Sequence, residues 1–214
     1  MKTLVCFGDS NTHGTSPMAD ISGGNRFDAG IRWPQRLQKQ TGTSWQVIEE
    51  GLPGRTTLHD DPIEGCFLNG LAYLPAVLRS HKPIDMILIM LGTNDLKARF
   101  SVTAFDIGLS LIKIAETISQ SEAGPGGDAP EMLFICPPPI IETGCLAEKF
   151  IGGAAKSQQM QRCIPDLLSG AGYGTMMAAE SIAVSEVDGI HFEPEAHAAL
   201  AGAVAERLKL CGEK

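Results

Sequence analysis

Five short apolar runs, separated by segments with helical spacing, constrain the fold of this chain more than any other feature. The runs cover residues 4–7, 45–50, 85–91, 132–136 and 173–178. Near-continuous apolar runs of this length are typical of parallel strands that are covered on both faces. The alternation of strands and helices predicts an α/β fold, namely a three-layer α/β/α sandwich with a five-stranded parallel sheet and right-handed crossovers.

The segments between the runs carry apolar residues three and four positions apart, as amphipathic helices do. In segment 103–119, this spacing puts Ile107, Leu111, Ile114 and Ile118 on one stripe. We predict further helices over residues 68–80 and 154–169, and a last helix that begins at Pro194. The glycine- and proline-rich segments 121–130 and 137–153 are predicted loops.

Polar clusters follow four of the predicted strands, either directly or within a longer loop. They comprise residues 8–11, 51–57, 92–95 and 188–191. Functional sites in open parallel sheets form beyond the carboxyl ends of the strands. We therefore expect the four clusters to meet at one rim of the sheet and to build a joint site.

The residues of these clusters match the needs of acyl transfer by a serine. Ser10 is the candidate nucleophile, His191 is the candidate base, and Asp188 is the candidate acid that orients the imidazole. The backbone N–H groups of Ser10 and Gly54 and the side-chain amide of Asn94 are the candidate donors of an oxyanion hole.

Nearby residues are assigned structural or pocket-lining roles. The candidate pocket residues are Asp9, Asn11, His13, Arg55 and Pro138. Asp9 and Asp95 are also expected to hold their loops through backbone hydrogen bonds, and Arg55 is expected to serve mainly in a structural salt bridge. His197, in the last predicted helix, is expected to face solvent or packing rather than the site.

Taken together, the clusters resemble a known family. In order along the chain, Gly8-Asp9-Ser10, Gly54, Gly92-Thr93-Asn94-Asp95 and Asp188-Gly189-Ile190-His191 resemble the four blocks of the SGNH (GDSL-type) hydrolase superfamily. Segments 6–10, 49–52, 55–57, 89–95 and 187–192 resemble its small bacterial arylesterase/acyltransferase branch. Asn11 and His13 depart from the Leu and the Trp or Tyr that are usual there, which leaves the shape of the pocket open.

The resemblance implies a flavodoxin-like fold and a serine esterase that hydrolyses short-chain acyl esters of aryl or small alkyl alcohols. It also implies acyl transfer to alcohols in some members and frequent homo-oligomers. A carbohydrate acetyl esterase, a thioesterase and a lysophospholipase remain alternatives, since all of them use the same kind of site. We expect a small-molecule ester as the substrate and no organic cofactor.

Other classes fit the sequence less well. A metal-dependent phosphoesterase with Asp9, Asn94 and His191 as ligands is a remote alternative, because such sites need more carboxylates and histidines, and we expect no metal. A nucleotide or phosphate binder lacks its glycine-rich motif, and an α/β-hydrolase lacks its G-x-S-x-G elbow. An inactive homologue is a further alternative, which the sequence disfavours because every catalytic position is filled.

Composition limits the partners and the environment. The 214 residues are expected to form a single domain, 1–214, and the net charge of −8 argues against nucleic acid or an anionic membrane as a partner. We find no membrane span and no signal peptide pattern, and the six scattered cysteines form no C-x-x-C pair. We therefore expect a cytoplasmic protein with reduced thiols.

Overall fold

The computed structural model describes residues 1–212, with side chains as far as Lys209, and has the predicted five-stranded parallel sheet. The strands lie in the order β2-β1-β3-β4-β5, which is the flavodoxin-like order. Their bounds are β1 Lys2–Gly8, β2 Trp45–Gly51, β3 Met86–Met90, β4 Glu131–Cys136 and β5 Gly174–Met177. The fold class predicted from the apolar runs is confirmed.

The helices connect the strands and cover both faces of the sheet. Their bounds are α1 Ser10–His13, α2 Trp33–Thr41, α3 Gly70–His81, α4 Ala104–Ser119, α5 Gly153–Gly170 and α6 Pro194–Gly212. Thr103 begins α4 with a capping box, in which its hydroxyl accepts from the Asp106 N–H at 3.1 Å and the Asp106 carboxylate accepts from the Thr103 N–H at 2.9 Å. Short 3₁₀ turns occupy Cys66–Leu68, Asn94–Leu96, Ala98–Phe100, Pro125–Gly127, Gly144–Leu146, Glu148–Phe150 and Ala178–Glu180.

Alternate residues of the central strands pack into two separate hydrophobic cores. In β1, Val5 and Phe7 join the core under α3, α4 and α5, while Leu4 and Cys6 join the core under α2 and α6. All four of these β1 side chains are buried. Because successive side chains of a strand point to opposite faces, one apolar run supplies both cores. The three layers follow directly from this arrangement.

Helix α2 has no counterpart among the predicted helices. Its sequence is mostly polar, and only Trp33, Pro34 and Leu37 are buried. Trp33 is the first residue of α2 and is buried in the core shared with α6. A Pro near its first position favours this helix start, but so few apolar residues give a weak periodic signal.

The cysteines whose side chains are described form no disulfide bond. Cys6, Cys66, Cys136, Cys145 and Cys163 are free thiols, and Cys211 lies outside the described side chains. Burial raises the pKa of the Cys136 thiol to about 12. Within residues 1–212, no helix combines the length and the apolar character needed to cross a bilayer.

Candidate active site

Ser10 lies where β1 ends and the single helical turn α1 begins. Asp9 precedes this turn as its N-cap, and its carboxylate accepts from the Asn11 N–H at 2.9 Å. The end of β2 packs directly against the turn, because a Cβ placed on Gly51 would lie 2.1 Å from the backbone nitrogen of His13. Two neighbouring strands therefore fix the position of Ser10, as a reactive side chain requires.

Asp188 holds His191 through a short hydrogen bond. The distance from Asp188 Oδ2 to His191 Nδ1 is 2.6 Å, and Oδ2 also accepts from the Met18 N–H at 2.7 Å. Asp188 Oδ1 accepts from the N–H groups of Ile190 and His191 at 3.0 and 2.9 Å. With Nδ1–H donating to the carboxylate, Nε2 of His191 is the imidazole nitrogen free to accept a proton.

The same contacts keep Asp188 ionised. Burial alone would raise the pKa of this carboxyl, but the hydrogen bonds from His191 and the backbone, together with the charge of the imidazole, lower it to about 2. A carboxylate in this state orients the imidazole and stabilises its protonated form.

A cavity of about 270 Å³ brings the distant clusters of the sequence together. Ser10, Gly54, Asn94 and His191 all line it, as the order of the strands predicts. The other lining residues are His13, Thr15, Met18, Gly23, Gly24, Pro53, Glu64, Lys97, Leu146, Lys149, Phe150 and Ile190. Residues from both ends of the chain, Ser10 and His191, thus line one open space.

The two further oxyanion candidates lie in different loops that line this cavity. Gly54 follows β2 with a φ of 86°, a left-handed conformation that favours glycine. Asn94 begins the 3₁₀ turn after β3, and its Nδ2 lies 3.5 Å from the Asp9 carboxylate. At that distance, the amide keeps donor capacity for a group in the cavity.

Of the five candidate pocket residues, only His13 lines the cavity. Its Nδ1 is 3.1 Å from Thr15 Oγ1, and burial is the main cause that lowers its pKa. The other four do not line it and are buried, namely Asp9, Asn11, Arg55 and Pro138.

Arg55 joins the ends of two strands, and it forms no salt bridge with any side chain that the structure describes. Its Nη1 donates to the carbonyl oxygens of Gly8, at 2.9 Å, and Glu50. Its guanidinium lies 4.2 Å from the centre of the Phe7 ring and 5.5 Å from that of Tyr73. Burial lowers its pKa to about 10. The predicted structural role holds, but backbone carbonyls and aromatic rings replace the expected carboxylate.

The carboxylates of Asp9 and Asp95, which were predicted to hold their loops, are buried, and burial raises the pKa of both. Asp95 accepts from the Thr57 N–H at 3.0 and 3.1 Å and from the Thr57 hydroxyl, which ties the loop after β3 to the loop after β2. Burial raises the pKa of Asp95, and it raises the pKa of Asp9 to about 6. The expectation that both hold their loops through backbone bonds is confirmed.

A group of charged residues beside the cavity was not predicted. Lys97 Nζ lies 3.2 Å from Asp61 Oδ2 and 2.9 Å from Glu64 Oε2. Arg99 also contacts Asp61 and Glu64, at 2.9 and 3.4 Å, and Lys149 pairs with Glu64. These residues come from three separate loops, so no local spacing in the sequence signals their meeting.

No group of three or more His, Cys, Asp or Glu side chains suited to a metal ion occurs within the described part of the chain. The remote phosphoesterase alternative requires Asp9, Asn94 and His191 as ligands. Of these, Asp9 and His191 belong to the four residue types named above. Asp9 is held by the Asn11 N–H and Asn94, and His191 by Asp188.

Comparison with known proteins gives a consistent set of relatives. Residues 6–199 match the model of the GDSL-like Lipase/Acylhydrolase family. The structure of the native aryl esterase of M. smegmatis is 38% identical, covers 98% of this chain and 99% of its own, and has a TM-score of 0.93. A carbohydrate acetylesterase from Sinorhizobium meliloti is 33% identical over 99% of this chain and 100% of its own, also with a TM-score of 0.93.

A curated relative matches over a shorter region. "Thioesterase 1/protease 1/lysophospholipase L1" of Escherichia coli (strain K12) is 31% identical over 93 residues, which is 44% of this chain and 35% of that protein. The matched part therefore spans about a third of this relative.

Proposed function

The chain belongs to the GDSL-like lipase/acylhydrolase family, and from this premise we propose that it is a carboxylic ester hydrolase that uses Ser10, His191 and Asp188 as a catalytic triad. Its substrates are short-chain acyl esters of aryl or small alkyl alcohols. The observation that carries the proposal is the hydrogen-bonded Asp188–His191 pair on the same cavity as Ser10. The full-length similarity to an aryl esterase supports the substrate class.

The reaction proceeds through an acyl-enzyme. Ser10 Oγ attacks the ester carbonyl while His191 Nε2 takes the hydroxyl proton, and Asp188 stabilises the imidazolium that forms. His191 then gives this proton to the departing alkoxide, which leaves as the alcohol. Water attacks the acyl-serine with the same imidazole as base, so that the carboxylic acid is released and Ser10 is restored.

The negative charge of the tetrahedral intermediate is stabilised by the backbone N–H groups of Ser10 and Gly54 and by Asn94 Nδ2. These groups are held by the sheet and its loops before substrate binds, so little reorganisation is needed. Removal of the Asn94 amide is expected to cost about 3 kcal/mol of transition-state stabilisation.

A second candidate is deacetylation of a carbohydrate, which the similar carbohydrate acetylesterase favours. The curated relative likewise favours thioester or lysophospholipid hydrolysis, on a shorter match. All of these use the same triad and differ in the group that the cavity accepts. Acyl transfer is the same reaction with an alcohol in place of water in the second step.

The test is a chain-length series of p-nitrophenyl esters, from acetyl to octanoyl, with the wild type and Ser10→Ala. The Ser80→Ala variant, at an exposed position on α3, is the matched control. We expect Ser10→Ala to lose turnover on every ester, Ser80→Ala to retain it, and acetyl to butyryl esters to react fastest. Retained turnover in Ser10→Ala would refute the assignment of the nucleophile.

Three further substrates separate the alternatives. An acetylated sugar, an acyl thioester and a lysophospholipid are compared with p-nitrophenyl acetate by kcat/KM. A preference for one of them above the aryl ester would replace the proposed substrate class and leave the triad in place. Addition of a simple alcohol tests transfer, since a new ester then forms alongside the free acid.

A further inference from the structure

One side of the cavity carries formal charges, and we refer to it as the charged wall. Glu64, Lys97 and Lys149 line the cavity there, and Asp61 and Arg99 lie behind them. Lys97 is buried although it is a lysine, and its ammonium contacts both carboxylates. Such burial is rare for lysine unless the charge is paired, so this part of the wall is a built structure rather than a solvated surface.

The charges of this wall do not cancel. Asp61 and Glu64 supply two negative charges, whereas Lys97, Arg99 and Lys149 supply three positive charges. Lys97 and Arg99 each contact both carboxylates, which already balances the pair. Lys149, which lines the cavity, adds a third cation to Glu64, and its side chain is 32% exposed. The wall therefore has one surplus positive charge, and Lys149 is its most exposed cation, since the side chains of Lys97 and Arg99 are 1% and 19% exposed.

Apart from the charged wall, the titratable lining residues are the imidazoles of His13 and His191, and burial lowers the pKa of His13. The carboxylates of Asp188 and Asp9 lie behind the lining, where they contact His191 and Asn94 rather than the charged wall. The chain as a whole carries a net charge of −8. The charged wall is thus a locally cationic patch on an acidic protein, and this contrast favours the binding of an anionic group beside it.

The charged wall also lies close to the reacting centre. A Cβ placed on Gly54, one of the proposed oxyanion donors, would be 3.1 Å from Glu64 Oε2, the oxygen that also contacts Lys97. Glu64 Oε1, on the same carboxylate, pairs with Lys149. An anionic group a few bonds away from the ester carbonyl can therefore reach the Lys149 ammonium while the carbonyl faces Gly54.

We propose that Lys149 makes this enzyme selective for esters that carry a carboxylate in addition to the ester group. The proposal rests on the esterase function above and narrows its substrate class. An added carboxylate becomes the third negative charge of the wall and completes its pairing. With a neutral ester, the surplus positive charge of the wall is balanced only by solvent.

The experiment compares matched anionic and neutral esters by kcat/KM. One pair carries the charge on the acyl side, p-nitrophenyl hydrogen glutarate against p-nitrophenyl pentanoate. The other carries it on the alcohol side, 4-acetoxybenzoate against 4-acetoxybenzamide. We expect the wild type to prefer the anionic member of at least one pair, and this pair tells which side of the ester faces Lys149.

Variants of Lys149 test its role. Lys149→Gln is expected to reduce the anionic-to-neutral ratio roughly fivefold, a size typical of one partly exposed charge, whereas Lys149→Arg keeps the charge and the ratio. Lys113→Gln is the control, because it removes a lysine that pairs with Glu116 on the exposed face of α4. Added salt is expected to weaken the wild-type preference by screening.

The inference is overturned if the wild type prefers the neutral ester in both pairs, or if Lys149→Gln leaves both ratios at their wild-type values. Either result leaves the esterase proposal intact, provided that neutral esters are still turned over and Ser10→Ala is inactive. Turnover by Ser10→Ala would instead remove the esterase mechanism itself.

Discussion

The side-chain amide of Asn11 donates to the backbone carbonyl of Ile190 at 3.0 Å. This bond joins the residue after Ser10 to the residue before His191, across 179 positions of the chain. Both partners are buried. The two ends of the candidate triad are therefore connected by one direct hydrogen bond, and not only through the sheet.

Replacement of Asn11 by Ala is expected to reduce activity by more than the loss of stability in the same variant explains. It leaves the buried Ile190 carbonyl without this donor, a cost of about 1–3 kcal/mol, and frees the loop of His191 to shift relative to Ser10. We expect kcat for a p-nitrophenyl ester to fall at least about tenfold, since small misplacements of a catalytic group are costly. Steady-state kinetics and urea unfolding measure the two effects.

Asn69→Ala is the matched control. The side-chain amide of Asn69 likewise donates to a backbone carbonyl, that of Leu58, at 2.9 Å. Its side-chain oxygen caps α3 by accepting from the Ala72 N–H. This variant is expected to lose stability and to retain kcat. If both variants lose activity in proportion to stability, then Asn11 has no positioning role beyond folding.

Asp9 predicts a dependence of stability on pH. Burial raises its folded-state pKa to about 6, above the value of 3.8 for a free aspartate. The folded state thus binds the proton more tightly, so the contribution of Asp9 is most favourable below about pH 4 and is lost as the pH rises through 6. Over this pH range, the contribution of Asp9 to the free energy of unfolding changes by on the order of 3 kcal/mol.

The Asp9→Asn variant tests this dependence because its amide mimics the protonated carboxyl. We expect it to be more stable than the wild type at pH 8, by urea unfolding, and similar to it at pH 4. The low-pH measurement serves as the internal control. An equal difference at both pH values would show that Asp9 titrates normally in the folded state.

Local patterns in the sequence were sufficient to predict the sheet and the meeting of the polar clusters at one rim of it. The run 85–91 predicts a buried strand whether or not its partners are known, and β3 covers Met86–Met90. The positions of Ser10, Asn94 and His191 on one cavity then follow from strand order, since the carboxyl ends of parallel strands share a rim.

The partners of the buried supporting side chains could not be predicted in this way. Lys97 and Arg55 are long, charged side chains that are buried because loops distant in sequence supply their partners. Lysine and arginine are mostly exposed in proteins, so the sequence alone favours the opposite placement. The direction of Asn11 into the His191 loop is likewise a tertiary contact with no local signature.

Replacement of Gly51 by Ala is expected to destabilise the protein strongly. The added Cβ would lie 2.1 Å from the His13 nitrogen and 2.6 Å from its Cα, and backbone atoms cannot move aside as a flexible side chain can. We expect a loss of at least about 2 kcal/mol by urea unfolding, together with reduced kcat, because the turn that holds Ser10 must shift. Gly202→Ala, where a Cβ meets nothing within 4 Å in α6, is the control and is expected to be neutral or stabilising. A stable, active Gly51→Ala would contradict the close contact of β2 with α1.

His191 and His197 are close in sequence but are expected to respond differently to substitution. His191 faces the cavity, whereas the fully buried His197 ring lies 5.6 Å from Phe27 and 5.7 Å from Phe192, between ring centres. We expect His191→Ala to abolish esterase turnover and His197→Asn to retain most of it. An inactive but folded His197→Asn would place the second histidine in the reaction.

His197 also predicts a loss of stability in acid. Burial is the main cause that lowers its pKa from 6.5 to about 4, so the folded state favours the neutral ring. This contribution is fully present above pH 6.5 and is lost as the pH falls from 6.5 towards 4, by on the order of 3 kcal/mol. The Asn side chain does not titrate, and urea unfolding of His197→Asn is therefore expected to depend less on pH in this interval than that of the wild type. Parallel curves for the two proteins between pH 4 and 7 would mean that the buried imidazole is protonated in the folded state as readily as in the unfolded chain.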